Sequence, residues 1–225
     1  MSKDSAEGVL IPIGGNEDKG SNQDDLHSLD FIDEGILYQV VSQAGGVHAK
    51  IVVLPAASSI PEEVGQNYQK AFAKLGCTNV HVLQILKRAD AETKNAVEMI
   101  STANALMFSG GDQSKITRKI GGTEIHKIMA SRYQNEKFVI AGTSAGAMCM
   151  SKEMIRGGNH IDSFRKGTVI LGKGMEFIPS LIIDSHFIRR GRFGRLTEAV
   201  ACFPNLIGVG LGEDTGLIIR NDQEF

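Results

Sequence analysis

The sequence predicts an α/β protein built on a mostly parallel sheet with helices on both faces. Three observations predict it. Short, fully apolar runs at 51–54 and 105–108 have the character of strands buried on both faces, as in a parallel sheet. Segments with apolar residues at helical spacing separate such runs, so strand and helix alternate along the chain. Three Gly-rich turns, Gly14-Gly15, Gly110-Gly111 and the stretch from Gly142 to Gly146, fall at strand ends. Open parallel sheets bind their ligands at that edge.

The elements follow in order. Residues 9–13 read as a first strand closed by Gly14-Gly15, with a turn at 16–20 and a polar loop at 20–30. Residues 31–44 carry Phe31, Ile36, Leu37, Val40 and Val41 at helical spacing, and Gly45-Gly46 ends that helix. After the strand at 51–54, Pro61-Glu62-Glu63 opens a helix that stops at Gly76, with Pro in the first turn and acids beside the positive end of the helix dipole. A strand at 80–85, a helix at 91–100 and a strand at 105–108 come next. A helical stretch over 114–133 is interrupted at Gly121-Gly122. Phe138-Val139-Ile140 is the next strand, and a helix begins at Ala145. Residues 156–178, rich in Gly and charge, read as a loop or hairpin. A strand at 181–183, a helix at 192–201, a strand at 206–211 and the start of another at 217–219 complete the chain.

The chain has 225 residues and no evident linker or repeat, so one domain over 1–225 is expected. Its apolar (42%) and charged (22%) fractions are those of an ordinary soluble globular protein. A net charge of −2 gives no general attraction to nucleic acid or anionic membrane. The absence of Trp disfavours a base-stacking surface. Cys77, Cys149 and Cys202 have no metal-like spacing and read as buried structural thiols in a reducing compartment. The N-terminal residues are polar and no stretch is long enough to span a membrane, so the expected location is cytoplasmic.

Gly142-Thr143-Ser144-Ala145-Gly146 has the small-residue pattern of a nucleophile elbow, a sharp strand-to-helix turn with one hydroxyl at its apex. The same pattern fits a tight turn in which Ser144 merely caps a helix. A nucleophilic serine needs a base and an acid that orients the base. Of six histidines, His27, His48, His81, His126 and His160 read as loop, turn, strand or surface-helix residues. His186 directly follows an apolar strand, where the rim of the sheet should be. Glu213 also follows an apolar strand, between Gly212 and Gly216, with Asp184 and Asp214 as rivals for the acid. An α/β-hydrolase runs Ser, acid, His. No His follows Glu213, so the preferred order is Ser144, His186, Glu213.

That order carries a resemblance. Gly14-Gly15-Asn16-Glu17-Asp18-Lys19, Phe108-Ser109-Gly110-Gly111-Asp112-Gln113, the segment from Gly142 to Ala147, Asp184-Ser185-His186-Phe187 and the basic run from Arg190 to Arg195 resemble the cyanophycinase branch of the serine peptidase family that also contains aspartyl dipeptidase E. The resemblance implies a flavodoxin-like three-layer sandwich related to class I glutamine amidotransferases, with the elbow at Ser144. It implies Ser144 as nucleophile, His186 as base and Glu213 as orienting acid. It puts Gln113, Asp184, Ser185, Arg190, Arg192 and Arg195 in the substrate pocket, where guanidinium forks suit substrate carboxylates. Backbone N–H groups of Gly111 and Ala145 would bind the oxyanion. The family carries Gln where this chain has Ser185, and it continues past Phe225. Arg189 reads as a solvated surface charge.

The substrate implied is cyanophycin, or a related aspartyl peptide: a poly-aspartate backbone with arginine on each β-carboxyl, cut to β-aspartyl-arginine dipeptides. No metal or cofactor is expected, and the expected assembly is a homodimer. The alternatives are an aspartyl or isoaspartyl dipeptidase with the same elbow, and a non-catalytic amidotransferase-like binding module. Glutaminase or thiol chemistry is disfavoured, because the elbow residue is Ser and Cys149 falls further along the helix.

Overall fold

The computed structural model describes residues 6–20, 30–158 and 167–220. His27, His160 and most of the expected 20–30 loop lie outside the described residues. In chain order the first half comprises β1 (Val9–Ile13), α1 (Ile36–Gln43), β2 (Ile51–Leu54), α2 (Pro61–Lys74), β3 (Val80–Val82), α3 (Lys94–Thr102) and β4 (Ala105–Phe108). Then come α4 (Gln113–Ile120), α5 (Glu124–Asn135), β5 (Val139–Thr143), α6 (Ala145–Met148), β6 (Glu153–Gly158), β7 (Val169–Lys173), β8 (Leu181–Asp184), α7 (Phe193–Cys202), β9 (Ile207–Gly210) and β10 (Ile219–Arg220).

Six strands form the central sheet in the order β10-β1-β5-β4-β2-β3. Five of them run parallel, and β10 pairs antiparallel with β1 at the edge. The run β3-β2-β4-β5 has the 2-1-3-4 order of a flavodoxin-like sheet, with β1 added beyond β5. Side chains alternate across the pleat. Leu10, Val52, Leu106 and Ile140 pack against Ile100, Ile116 and Met129 of α3, α4 and α5. Ile11, Val53, Met107 and Ala141 pack against Leu37, Val40, Tyr68 and Phe72 of α1 and α2. The two cores make a mixed α/β fold of three layers around a mostly parallel sheet.

Several boundaries differ from expectation for local reasons. Helix α1 begins at Ile36 rather than at 31, because the Asp30 carboxylate accepts the amides of Ile32 and Asp33 and closes a separate turn that Gly35 ends. The strand at 80–85 stops at Val82. Beyond it the Asp90 carboxylate holds the amides of Leu86 and Lys87, and a 3-10 turn occupies Arg88–Glu92. Helix α3 then starts at Lys94, capped by the Thr93 hydroxyl. The expected loop or hairpin at 156–178 is the antiparallel pair β6–β7, which starts earlier, at Glu153.

The chain after β5 does not extend the central sheet until β10. Strands β8 and β9 instead form a separate parallel pair joined through α7. Met148, Ile182, Phe187, Leu196 and Ala199 fill the core between that unit and α6. A buried ion cluster fixes α7 against β8. Asp184 is fully buried and receives Arg195 through Nε (2.8 Å) and a second guanidinium nitrogen, and Arg192 at 3.1 Å. Removing one member of such a cluster leaves buried charge short of partners, which costs far more than the intact cluster contributes. Arg195→Ala should therefore lower unfolding free energy by about 3–5 kcal/mol. Urea denaturation measures this, and an unchanged midpoint would contradict the structural role given to the cluster.

Candidate active site

Strand β5 delivers Ser144 to the rim of the sheet with φ 52° and ψ −107°. A positive φ is strained for any residue with a Cβ. The turn that imposes it is possible because its neighbours lack side chains. A Cβ on Gly142 would lie 2.5 Å from the Gly146 carbonyl oxygen, and one on Gly146 would lie 2.6 Å from that of Phe108. Main-chain bonds hold the apex: Ser144 N–H donates to the Ile13 carbonyl at 2.8 Å, and the Ser144 carbonyl accepts from Ala147 and Met148. The Ser144 hydroxyl makes no cap bond to α6. It is committed elsewhere, to an imidazole.

His186 Nε2 lies 3.0 Å from Ser144 Oγ, and His186 Nδ1 lies 2.6 Å from Glu213 Oε1. His186 also has a positive φ of 47°, and its N–H donates to the Gly14 carbonyl at 2.8 Å. Gly15 packs so close to the imidazole that a Cβ there would sit 2.4 Å from its Cε1. The far oxygen of Glu213 accepts Arg189 at 2.7 Å. Partial burial pushes the Glu213 carboxyl up, but the bonds from Arg189 and His186 outweigh it and hold the group below its ordinary range. Glu213 is thereby an ionised acceptor, and His186 Nδ1 donates to it. Arg189, expected to be a solvated charge, is instead the ion-pair partner of Glu213 through an exposed side chain. The fold brings it there from 24 residues away.

The rival acids are occupied. Asp214 accepts the Asp18 N–H at 3.2 Å, and its own N–H donates to the Gly15 carbonyl. Asp184 is enclosed by Arg192 and Arg195.

Ser144 and His186 open on a cavity of about 510 Å³ whose walls include Gly110, Gly111, Lys19, Tyr68 and Arg190. Gly110 abuts Ser144: a Cβ on it would lie 3.5 Å from Ser144 Cβ. Gly111, at φ 137°, approaches the Ala57 carbonyl too closely for any side chain.

Of the six residues expected to contact substrate, Arg190 lines this cavity. The other five are turned to different work. Gln113 is buried, and its amide donates to the carbonyls of Ile155 (2.7 Å) and Arg156 (3.1 Å), tying α4 to β6. Arg192 and Arg195 are spent on Asp184, and Arg192 also donates to the Ser185 carbonyl at 2.6 Å. Ser185 is fully buried, with its hydroxyl against Met148 Sδ. Asp184, Ser185, Arg192 and Arg195 brace the segment that carries His186 rather than lining the cavity.

The cysteines differ from one another. Cys149 is buried with its thiol on the Gly146 carbonyl, and burial pushes its pKa far above the ordinary value. Cys77 is buried too, but Cys202 is exposed, against the expectation of three buried thiols. Among the described residues, no group of three or more His, Cys, Asp or Glu side chains is arranged to hold a metal ion. Among the same described residues, no helix is long and apolar enough to cross a membrane. His126 bonds the Met175 carbonyl and the Gly122 N–H, and His81 bonds Asn79, both away from Ser144.

A group that sequence reasoning left without a role is Glu17 with Lys19 and Tyr68. Glu17 is 4% exposed, yet it belongs to the first Gly-rich loop and lines the cavity. The signal was a carboxylate two residues after a Gly-Gly turn at a strand end. Its partners, 51 and 126 residues away, leave no local trace.

A cyanophycinase of Nostoc sp. is 32% identical over 214 residues, spanning 95% of this chain and 68% of that protein. A cyanophycinase of Geminocystis herdmanii is 31% identical over 214 residues, with 95% and 75% covered. Among solved structures, a peptidase from an acI-B1 Actinobacterium superposes with a TM-score of 0.68 at 22% identity, covering 97% of this chain and 85% of the other. That last likeness concerns the fold. The model of peptidase family S51 matches residues 27–224, and the chain belongs to that family, as a serine-type peptidase.

Proposed function

We propose that the chain hydrolyses cyanophycin to β-aspartyl-arginine dipeptides through an acyl-enzyme on Ser144. The hydrogen-bonded chain from Ser144 through His186 to Glu213, opening on a cavity beside Arg190, carries the reading. Cyanophycinases at 31–32% identity supply the substrate class.

His186 Nε2 takes the Ser144 proton as Oγ attacks a main-chain aspartyl carbonyl. The N–H groups of Gly111 and Ala145 stabilise the oxyanion, and losing one such donor costs about two to three orders of magnitude in rate. The carbon–nitrogen bond then breaks, and the imidazolium returns its proton to the departing amine. Water enters, gives a proton to His186 and attacks the ester carbonyl. Collapse releases the acid, and the proton goes back to Ser144. Glu213 stabilises the imidazolium in both halves, with Arg189 holding its second oxygen. Arg190 binds a carboxylate of the arginine-bearing substrate.

A second reading, an aspartyl or isoaspartyl dipeptidase, is favoured by one observation. Asp184 occupies Arg192 and Arg195, so fewer cations face the cavity than a polymer carrying a carboxylate on every unit would use. Rates on Asp-Xaa and β-Asp-Xaa dipeptides against cyanophycin separate the two.

Ser144→Ala should reduce dipeptide release from cyanophycin by about six orders of magnitude. It should also abolish labelling by a fluorophosphonate. Undiminished turnover would overturn the nucleophile assignment.

The Glu213 pairing predicts a pH effect. Its carboxyl is held below the ordinary range, so the pairing is fully present above the unfolded carboxylate value and lost as pH falls through the lower folded one. Arg189→Ala removes a cation beside the pair and favours its protonation. The acid limb of kcat/KM should move to higher pH, with a loss of only a few-fold at the plateau, about what one exposed pair supports. A limb that stays in place or moves down would contradict the role given to Arg189.

A further inference from the structure

The loop after β1 places a second cation at the cavity. Glu17 is buried, and its carboxylate accepts the Tyr68 hydroxyl, the Thr143 hydroxyl and Lys19 Nζ, the last at 2.7 Å. Burial pushes the Glu17 carboxyl up, but Lys19 and the hydroxyl donors outweigh it and keep the group ionised. Burial and the neighbouring carboxylate push the Tyr68 phenol well above its ordinary value, so it remains a neutral donor. Tyr68 and Thr143 therefore satisfy one hydrogen bond at each Glu17 oxygen without help from Lys19.

Two donors of Lys19 turn back to Glu17, to the carboxylate and to the main-chain carbonyl at 3.3 Å. The ammonium lies 5.1 Å from the Tyr68 ring centroid, and its side chain is one-third exposed and lines the cavity that contains Ser144. A long, flexible side chain is thus held at its ammonium tip, which lowers the ordering cost that usually weakens a lysine contact. With Arg192 and Arg195 committed to Asp184, Lys19 and Arg190 are the Lys and Arg side chains lining the cavity.

We propose that Lys19 is a specificity-determining residue that binds a carboxylate of the peptide substrate, and that Glu17 is the positioning residue that holds its ammonium at the cavity wall. The inference rests on the peptidase reading of Ser144 given above. The chemistry it names is a free α-carboxylate on the residue borne by the scissile aspartyl unit, as in β-aspartyl-arginine. Arg190 contributes a second, separate cation.

The test reads binding apart from turnover. In a Ser144→Ala background, β-aspartyl-arginine and its C-terminal amide are titrated by calorimetry. The free acid should bind roughly 10- to 100-fold more tightly than the amide, the range of a hydrogen bond to a charged partner. Adding Lys19→Met should cut that ratio by about 10-fold, mostly through the acid, while Lys19→Arg keeps it. If Lys19→Met leaves buried Glu17 too poorly compensated to fold, the Glu17→Gln/Lys19→Met pair removes both charges, and the same drop is expected. A ratio of one in the Ser144→Ala protein, or a ratio that Lys19→Met or the paired variant leaves unchanged, overturns the proposal. Failure of the parent protein to release dipeptide from cyanophycin would overturn the substrate reading. A preserved acid-to-amide preference that depends on Lys19 would still support the carboxylate site.

Discussion

The carboxyl end of β1 is the constraint on which the site depends. Within four residues it bonds the main chain of every segment that carries the hydrogen-bonded trio. The Ile13 carbonyl takes the Ser144 N–H, the Gly14 carbonyl takes the His186 N–H, and the Gly15 carbonyl takes the Asp214 N–H beside Glu213. Gly14 N–H returns a bond to the Thr215 carbonyl. These distances are 2.8–2.9 Å, so side-chain geometry at the rim is inherited from main-chain geometry. The glycines are required there: a Cβ on Gly14 would lie 1.8 Å from the Gly212 carbonyl oxygen. Three distant stretches of sequence can meet because one short strand end has no side chains to keep them apart.

Two buried carboxylates then brace the segments around this junction. Asp184 locks β8 to α7 and so fixes where the His186 segment departs. Glu17 links the loop after β1 to Thr143 on β5 and to Tyr68 on α2. Buried ion pairs are weak sources of net stability, because desolvation offsets attraction. Their value here is geometric. Each carboxylate ties its own segment to at least one other element, α7 for Asp184, α2 and β5 for Glu17, and no apolar contact would fix those elements in one register so closely.

Much of this was legible in the residues. The apolar runs at 51–54 and 105–108 are β2 and β4 to the residue, since a strand buried on both faces must be apolar throughout. Helix α2 was marked by its Pro and acids, and the break between α4 and α5 by Gly121-Gly122. The turn at Ser144, the imidazole of His186 and Glu213 were each marked by a strand end. What could not be read was which charge faces which. Arg189 looked solvated, yet the turn after His186 points it at Glu213. Arg192 and Arg195 looked like pocket residues, yet a helix begins at Phe193 and turns them onto Asp184. Such choices depend on side-chain direction after the chain is folded, and no local pattern encodes them.

Among the described residues, five non-glycine residues have a positive φ, and four of them, Asn16, Ser144, His186 and Asp214, cluster at this rim. Each costs of order 1–3 kcal/mol relative to a relaxed conformation. For protein engineering this divides the molecule in two. Substitutions that relieve strain would act where Ser144, His186 and Glu213 are aimed at one another, so a more stable variant gained there would be a misaligned one. Tolerance to stabilising change should lie on the opposite edge, around the short strand β3, which β4 and β2 separate from the strand that leads to Ser144.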